Sequence, residues 1–395
     1  MRRGIIGALS LATLGLGCGP GETGDTAPDA GTIGALAVCA GFVHSCALLA
    51  DHTVRCWGDG ANGQLGNGAT GQSNTPVRVS GLADAVAITA GHGHTCAMKN
   101  DGTAWCWGLN TDGELGDGTV TPSAVPVQVS GLAGAVAIAA GDVHTCALTA
   151  TGTAWCWGSN ANGQLGDGTV TPSAVPVQVS GLTGTVALSS GTAHSCALTS
   201  GGSAWCWGGN LGGQLGDGST TDRHLPVQVS GLTGAVHVSA GGLHTCASTS
   251  AGTAWCWGLN NDGQLGTGTT TDSAVPVQVS GLTGAVPISA GALHTCAFAA
   301  GAPAWCWGHN FHGQLGDGTT TDGAVPVQVS GLAGTTSIAA GTEQTCAALG
   351  DGSAWCWGSN ASGQLGDPAA HQQCSELSPG VQYDCSLTPA RVAPW

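Results

Sequence analysis

A Cys-Trp-Gly triplet recurs at Cys56, Cys106, Cys156, Cys206, Cys256, Cys306 and Cys356, fifty residues apart every time and with no insertion. Each copy carries a second cysteine ten positions upstream, from Cys46 to Cys346, and a GQLG or GELG loop downstream. PVQVSGL follows, complete in five copies and altered to PVRVSGL at Pro76–Leu82. Self-similarity at a fixed period of this length means repeated supersecondary units stacked on one another. The third copy shows the unit as four short extended segments, Ala135–Ala139, His144–Leu148, Ala154–Gly158 and Pro176–Val179. Gly, Asn and Asp clusters separate them, and no 3.6-residue apolar period lasts long enough for a helix. Seven four-stranded units fit radial repetition, which closes on itself and leaves only short edges. A linear solenoid should show polar capping repeats at its ends, and none is visible. The expected fold is therefore all-β, a seven-bladed β-propeller over residues 34–395. Recurrence alone does not mark function: Asp117–Leu132 is identical to Asp167–Leu182, as recent duplication would leave it.

Composition removes several function classes. Hydrophobic residues make up 42% of the chain, too many for a disordered one. Seven Lys and Arg stand against 23 Asp and Glu, which excludes a basic nucleic-acid binder. The 70 glycines do not recur every third residue, so the chain is not collagen.

The start of the chain reads as a targeting region. Arg2 and Arg3 precede a short apolar run, GIIGALSLATLGLG, too short for a membrane span. Residues 1–17 are expected to be a signal peptide. The run ends at Cys18 and resembles a bacterial lipoprotein signal, with Gly15 where leucine is preferred. Lipidation of Cys18 would be the only membrane attachment; ordinary cleavage nearby is the alternative. Residues 18–33 are small, polar and acidic, and read as a flexible tether.

The run A-G-x-x-H-T-C-A-L, then D-G-x-A-W-C-W-G-x-N-x-x-G-Q-L-G-D-G-T, resembles the repeat of the regulator of chromosome condensation family. The resemblance covers residues 34 to 395 and implies a seven-bladed propeller. It implies much less about function, because function lives in sites placed on folds. The family contains a secreted bacterial β-lactamase inhibitor that captures a protein on its propeller face. It also contains a nuclear exchange factor for a small GTPase, whose wedge and nucleosome-facing surface have no counterpart identified in this sequence.

Fourteen cysteines form seven pairs: Cys46/Cys56, Cys96/Cys106, Cys146/Cys156, Cys196/Cys206, Cys246/Cys256, Cys296/Cys306 and Cys346/Cys356. A hairpin turning near its midpoint, at Asp51 or Asp101, puts the two members opposite each other on antiparallel strands. A non-hydrogen-bonded pair there is ~4.5 Å apart at Cα, within disulfide reach. The family repeat does not generally carry these cysteines, so they suit an oxidising compartment. The rival is a metal site made from His-x-Cys and the second Cys. It would give seven identical three-ligand sites with no recurring fourth ligand. Cys374 and Cys385 are expected to pair, and Cys39 to be a buried thiol, with a Cys18–Cys39 bridge as the alternative.

The remaining recurrent residues have structural explanations. Trp105, Trp107 and their equivalents face away from the hairpin cysteine and are expected to pack between blades. The sharper alternative is an aromatic array like that of plant ultraviolet-sensing relatives. His44, His94, His144, His194, His244 and His294 share one repeat position, which Gln344 takes in the seventh copy. Since Gln substitutes, a structural hydrogen bond is expected there. The Asn62–Gly68 loop lacks the Lys of a phosphate cradle. Asn110, Asp112 and Asp117 lack the carboxylate density of a calcium loop. No catalytic set, cofactor or metal site is expected.

The pattern breaks near the C-terminus. The seventh fourth strand, due near residue 376, appears as Thr388–Val392, thirteen residues late. The inserted loop, about 368–387, carries Cys374, Cys385, Glu376 and the only tyrosine, Tyr383. Singular loops on rigid scaffolds are where recognition concentrates, so Glu376 and Tyr383 are the candidate recognition residues. Arg223-His224 and His309-Asn310-Phe311-His312 are smaller departures. Together these features point to a monomeric, non-catalytic, extracytoplasmic scaffold for a protein or glycan partner, with no nucleic acid and no cofactor. The alternatives are a family-inferred guanine-nucleotide exchange activity and a carbohydrate-binding or polysaccharide-active propeller. The last would need clustered acids, as from Asp112, Asp142 and Asp222.

Overall fold

The computed structural model describes residues 33–284, 287–299, 303–369, 372–375 and 382–395. The signal peptide, Cys18, Glu376 and all of the tether but its last residue lie outside them. Every regular element among the described residues is a β-strand. They form seven antiparallel sheets, six of four strands and one of five, the blades of a β-propeller. In blade 3 the strands are Ala135–Ala140, His144–Thr149, Ala154–Gly158 and Ser173–Gln178, paired in chain order. The first strands surround the axis, where Ala40, Ala90, Ala140 and their equivalents line a cavity of about 110 Å³.

The hairpin between second and third strands follows the reading of its turn. Asp101 Oδ1 accepts from the backbone N–H of Thr103 at 2.9 Å and from its hydroxyl at 2.6 Å. This Asx turn sets Cys96 opposite Cys106 in register. The fourth strand starts at Ser173, earlier than the sequence reading, and runs through Pro176. Proline is tolerated because this is the outermost strand, with no further ladder needing its missing N–H.

Blade 6 is shorter, with strands Ile288–Ala290, His294–Ala297, Trp305–Gly308 and Gly323–Gln328. Pro287 immediately precedes its first strand and Pro303 lies just before its third, and neither supplies an N–H. Blade 7 restores the register after its insertion: Trp355 pairs with Arg391 as Trp155 pairs with Gln178. The segment read as a loop is partly a hairpin. Gln372–Ser375 pairs with the first part of the long strand Gln382–Arg391, adding a fifth strand at the blade edge.

The ring closes without strand exchange, since blade 1 begins at Ala35 and blade 7 runs from Thr335 to Arg391. The junction is held by Ala35 N–H to Gly352 O at 2.8 Å and by Trp57 Nε1 to Gln364 O at 2.9 Å.

Candidate functional site

The disulfides occupy the interior. All fourteen hairpin cysteines are fully buried and bonded in the seven pairs above, with Cα atoms 4.0 to 4.1 Å apart. Cys374 is bonded to Cys385. Cys39 is buried on the innermost strand of blade 1. In blades 2, 4, 5 and 6 that position holds a hydroxyl (Thr89, Ser189, Ser239 and Ser289) that caps the next blade, as Ser189 Oγ accepts Ala240 N–H at 2.9 Å, whereas blades 3 and 7 have Ala139 and Ala339.

The second Trp of each repeat reaches into the preceding blade. Trp107 Nε1 donates to Gln64 O at 2.9 Å, and Trp157 Nε1 to Glu114 O at 2.8 Å. Under each indole sits a left-handed glycine. Gly116, at φ 68°, would place a Cβ 2.6 Å from Trp157 Nε1. The same carbonyl also accepts the Thr or Ser that follows the recurrent histidine, as Thr145 donates to Glu114 O at 3.0 Å.

That hydroxyl in turn meets a histidine of the blade before it. His94 Nε2 lies 2.9 Å from Thr145 Oγ1 and His144 Nε2 lies 2.8 Å from Ser195 Oγ. Because each hydroxyl spends its proton on a carbonyl, the imidazole must donate from Nε2. The His144–Ser195 pair therefore runs the wrong way for a general base. It is fully buried besides. Burial, helped by neighbouring imidazoles, lowers five of these six histidines to about 3; burial alone takes His244 to about 4. In blade 7, Gln344 Nε2 donates to the Gly41 and His44 carbonyls at 3.1 and 3.3 Å.

In blades 2 to 6 the loop following the third strand is stapled from within by a buried Asn, a position that Gly60 takes in blade 1. Asn110, fully buried, donates to Thr119 O and Thr121 O at 3.1 Å each, and its Oδ1 accepts Leu115 N–H at 2.9 Å. Asp117 caps Thr119 N–H at 2.9 Å. These contacts account for the recurrent Asn and Asp. Arg223 pairs with Asp217 at 2.9 Å, so it too is locally satisfied. Of the acids considered for an axial cluster, Asp142 lines the axial cavity whereas Asp112 and Asp222 do not. Asp222 instead accepts Asn210 N–H at 2.8 Å.

The long loops and the turns between first and second strands share one face of the ring. On it the repeat's departures converge at blades 5, 6 and 7. His312 Nε2 lies 3.5 Å from Glu343 Oε1, and its ring centroid 5.0 Å from that of Tyr383. Phe311 packs edge-on against His312 at 5.2 Å and stacks with His309 at 6.4 Å. His309 Nδ1 lies 3.5 Å from Asp322 Oδ1 and 3.7 Å from Asp262 Oδ1. On the same face, two blades away from Phe311, Leu211 projects from the blade 4 loop, 83% exposed.

Tyr383 differs from its expected role. It is 9% exposed, packed with Cys374, Cys385 and Leu387, so its ring braces His312 and offers little surface to a partner. The His309–His312 run was visible as a departure in the sequence. Asp262, Asp322 and Glu343 were not singled out. Glu343 had a signal, since the equivalent positions hold Val43, Gly93, Val143, Ala193, Leu243 and Leu293.

A family model described as RCC1-like domain matches residues 7–244 and 80–382. The chain is similar to yeast RCC1 (Prp20), solved bound to Kap60. It is 22% identical with a TM-score of 0.73, over 86% of this chain and 83% of that one. A second structure of Prp20p from Saccharomyces cerevisiae, described with its binding properties to Gsp1p and histones, gives 22%, 0.73, 86% and 85%. Human WBSCR16 is 23% identical with a TM-score of 0.69, over 77% of this chain and 84% of that one. No curated protein matches the chain.

Proposed function

The chain belongs to the RCC1-like domain family, and on that premise we propose that it is a non-catalytic scaffold that captures a protein partner outside the cytoplasm. One observation carries the reading. Side chains that break the repeat, His309, Phe311, His312 and Glu343, come from two blades and gather on one face, while the interior positions repeat. Rigid scaffolds concentrate recognition in such places. Phe311 supplies an aromatic anchor and Leu211 an exposed apolar one, the residue types that dominate protein interfaces. Eight disulfides support an oxidising compartment. In this reading residues 1–17 are the export signal, Cys18 the lipid anchor and 18–33 the tether.

Cross-linking and affinity capture from the native cell test the proposal. The intact chain is expected to retain a dominant surface or secreted protein. Phe311→Ala with Leu211→Ala should lose that partner, whereas Thr151→Ala on the opposite face should keep it. A catalogue headed by a small GTPase would reverse the reading towards exchange activity, and release of sugar from a glycan would reverse it towards catalysis.

A further inference from the structure

We infer that the seam between blades 5 and 6 is a binding site for one first-row divalent metal ion, zinc matching best, held by Asp262, His309 and Asp322. The inference stands independently of protein capture. Blades 3 and 4 provide the reference. There Asn162 Nδ2 donates to Asp222 Oδ2 at 3.3 Å, an amide closing onto a carboxylate across the seam. Two blades further round, the same two positions are Asp262 and Asp322, and like charges replace the complementary pair. The position held by Gly209 in blade 4 is His309 in blade 6, and its imidazole fills the gap between the two acids.

The geometry is that of ligands around a missing centre. One oxygen from each acid and Nδ1 of the histidine lie within 4.8 Å of one another. The histidine separations of 3.5 and 3.7 Å exceed a good hydrogen bond. They match the roughly 3.4 Å between neighbouring ligands on a tetrahedral ion with bonds of about 2.1 Å. His309 Nδ1 is screened from solvent and makes no hydrogen bond.

The surroundings hold each ligand in place. Asp322 Oδ1 accepts Asn310 N–H at 2.7 Å, and Phe311 stacks on the His309 ring. Such outer contacts orient ligands as they do in known metal sites. The side chains of Asp262, His309 and Asp322 are 27%, 25% and 46% exposed, so a metal could enter and keep open positions for water. One imidazole with two carboxylates suits zinc or its neighbours, whereas calcium wants six to eight oxygens.

Calorimetric titration of the full chelator-treated protein with zinc chloride tests the inference. The parent and His312→Ala are each expected to bind one tight equivalent. Asp262→Asn and His309→Gln should weaken it by about tenfold or more, and should remove the zinc-induced rise in thermal midpoint. Absence of zinc binding in the parent, or unchanged binding in both variants, overturns the site. Should a variant fold poorly, the transfer experiment decides. Asn162→Asp with Gly209→His, facing Asp222, should create a second zinc equivalent between blades 3 and 4, and failure to gain it counts equally against the proposal.

Discussion

The histidine ring and the seam at His309 each bring an imidazole against a neighbouring blade, with opposite consequences. In the ring, His144 is fully buried, gives its one proton to Ser195 and is driven down to about 3. At the seam His309 is only partly covered and faces two acids without a hydrogen bond. The ring's six copies lock blade to blade, so their chemistry is exhausted by the fold. The seam occurs once among the described residues, and its groups stay available. In a repeat protein, recurrence marks what the architecture consumes and singularity marks what is left for function.

The largest expected effect lies in the repeated interior. Each hairpin disulfide closes an eleven-residue loop and contributes roughly 2.5–3 kcal/mol in the chain-entropy model. Seven together exceed the ~5–15 kcal/mol that holds an ordinary domain folded. Protein reduced and alkylated under denaturing conditions should therefore fail to regain its β-sheet circular dichroism. Recovery of the native spectrum would show that the disulfides decorate the ring without sustaining it.

Acid comes next. The ring histidines are pushed from 6.5 to about 3, or about 4 for His244. The unfolded chain therefore binds protons that the folded chain refuses. Their stability contribution is complete above pH 6.5 and is lost as pH falls towards 3, on the order of 1 kcal/mol per histidine per pH unit. Urea midpoints should drop steeply between pH 6 and pH 4. A flat profile would place the ring in contact with water.

The extent to which the sequence announced this division follows from the distance over which each feature acts. Blade count, hairpin turns and the Cys96–Cys106 register depend on neighbours within ten residues, and period and turn chemistry reveal them. Trp107 packing on Gln64 needs only the preceding repeat, so its inter-blade role was legible too. The start of the fourth strand was not, because Pro176 reads as a boundary until the strand is known to be outermost. The seam was legible only in its His309–His312 half. Asp262 and Asp322 look like ordinary members of polar loops, and their meeting depends on how one blade's loop overhangs the next.

A smaller effect separates the titrating from the packing role of the ring. His144→Gln imitates blade 7, where Gln344 fills the same position through backbone carbonyls. Stability at pH 7.5 should fall by about 1 kcal/mol, the usual worth of one buried hydrogen bond. The slope of stability against pH between 6 and 4 should become shallower by the share of one histidine. An unchanged slope would mean that His144 does not titrate with unfolding.

The smallest effect is also the most discriminating. Asp262→Asn recreates at blades 5 and 6 the amide-to-carboxylate contact that Asn162 makes with Asp222 at 3.3 Å. In metal-free buffer at pH 7 it removes a like-charge contact at a partly exposed site, so its thermal midpoint should rise slightly, by the equivalent of ~0.5 kcal/mol or less. A fall of 2 kcal/mol or more, without metal present, would place Asp262 among the residues the ring needs to stand. The contrast between a consumed interior and an available seam would then fail at the residue on which it most depends.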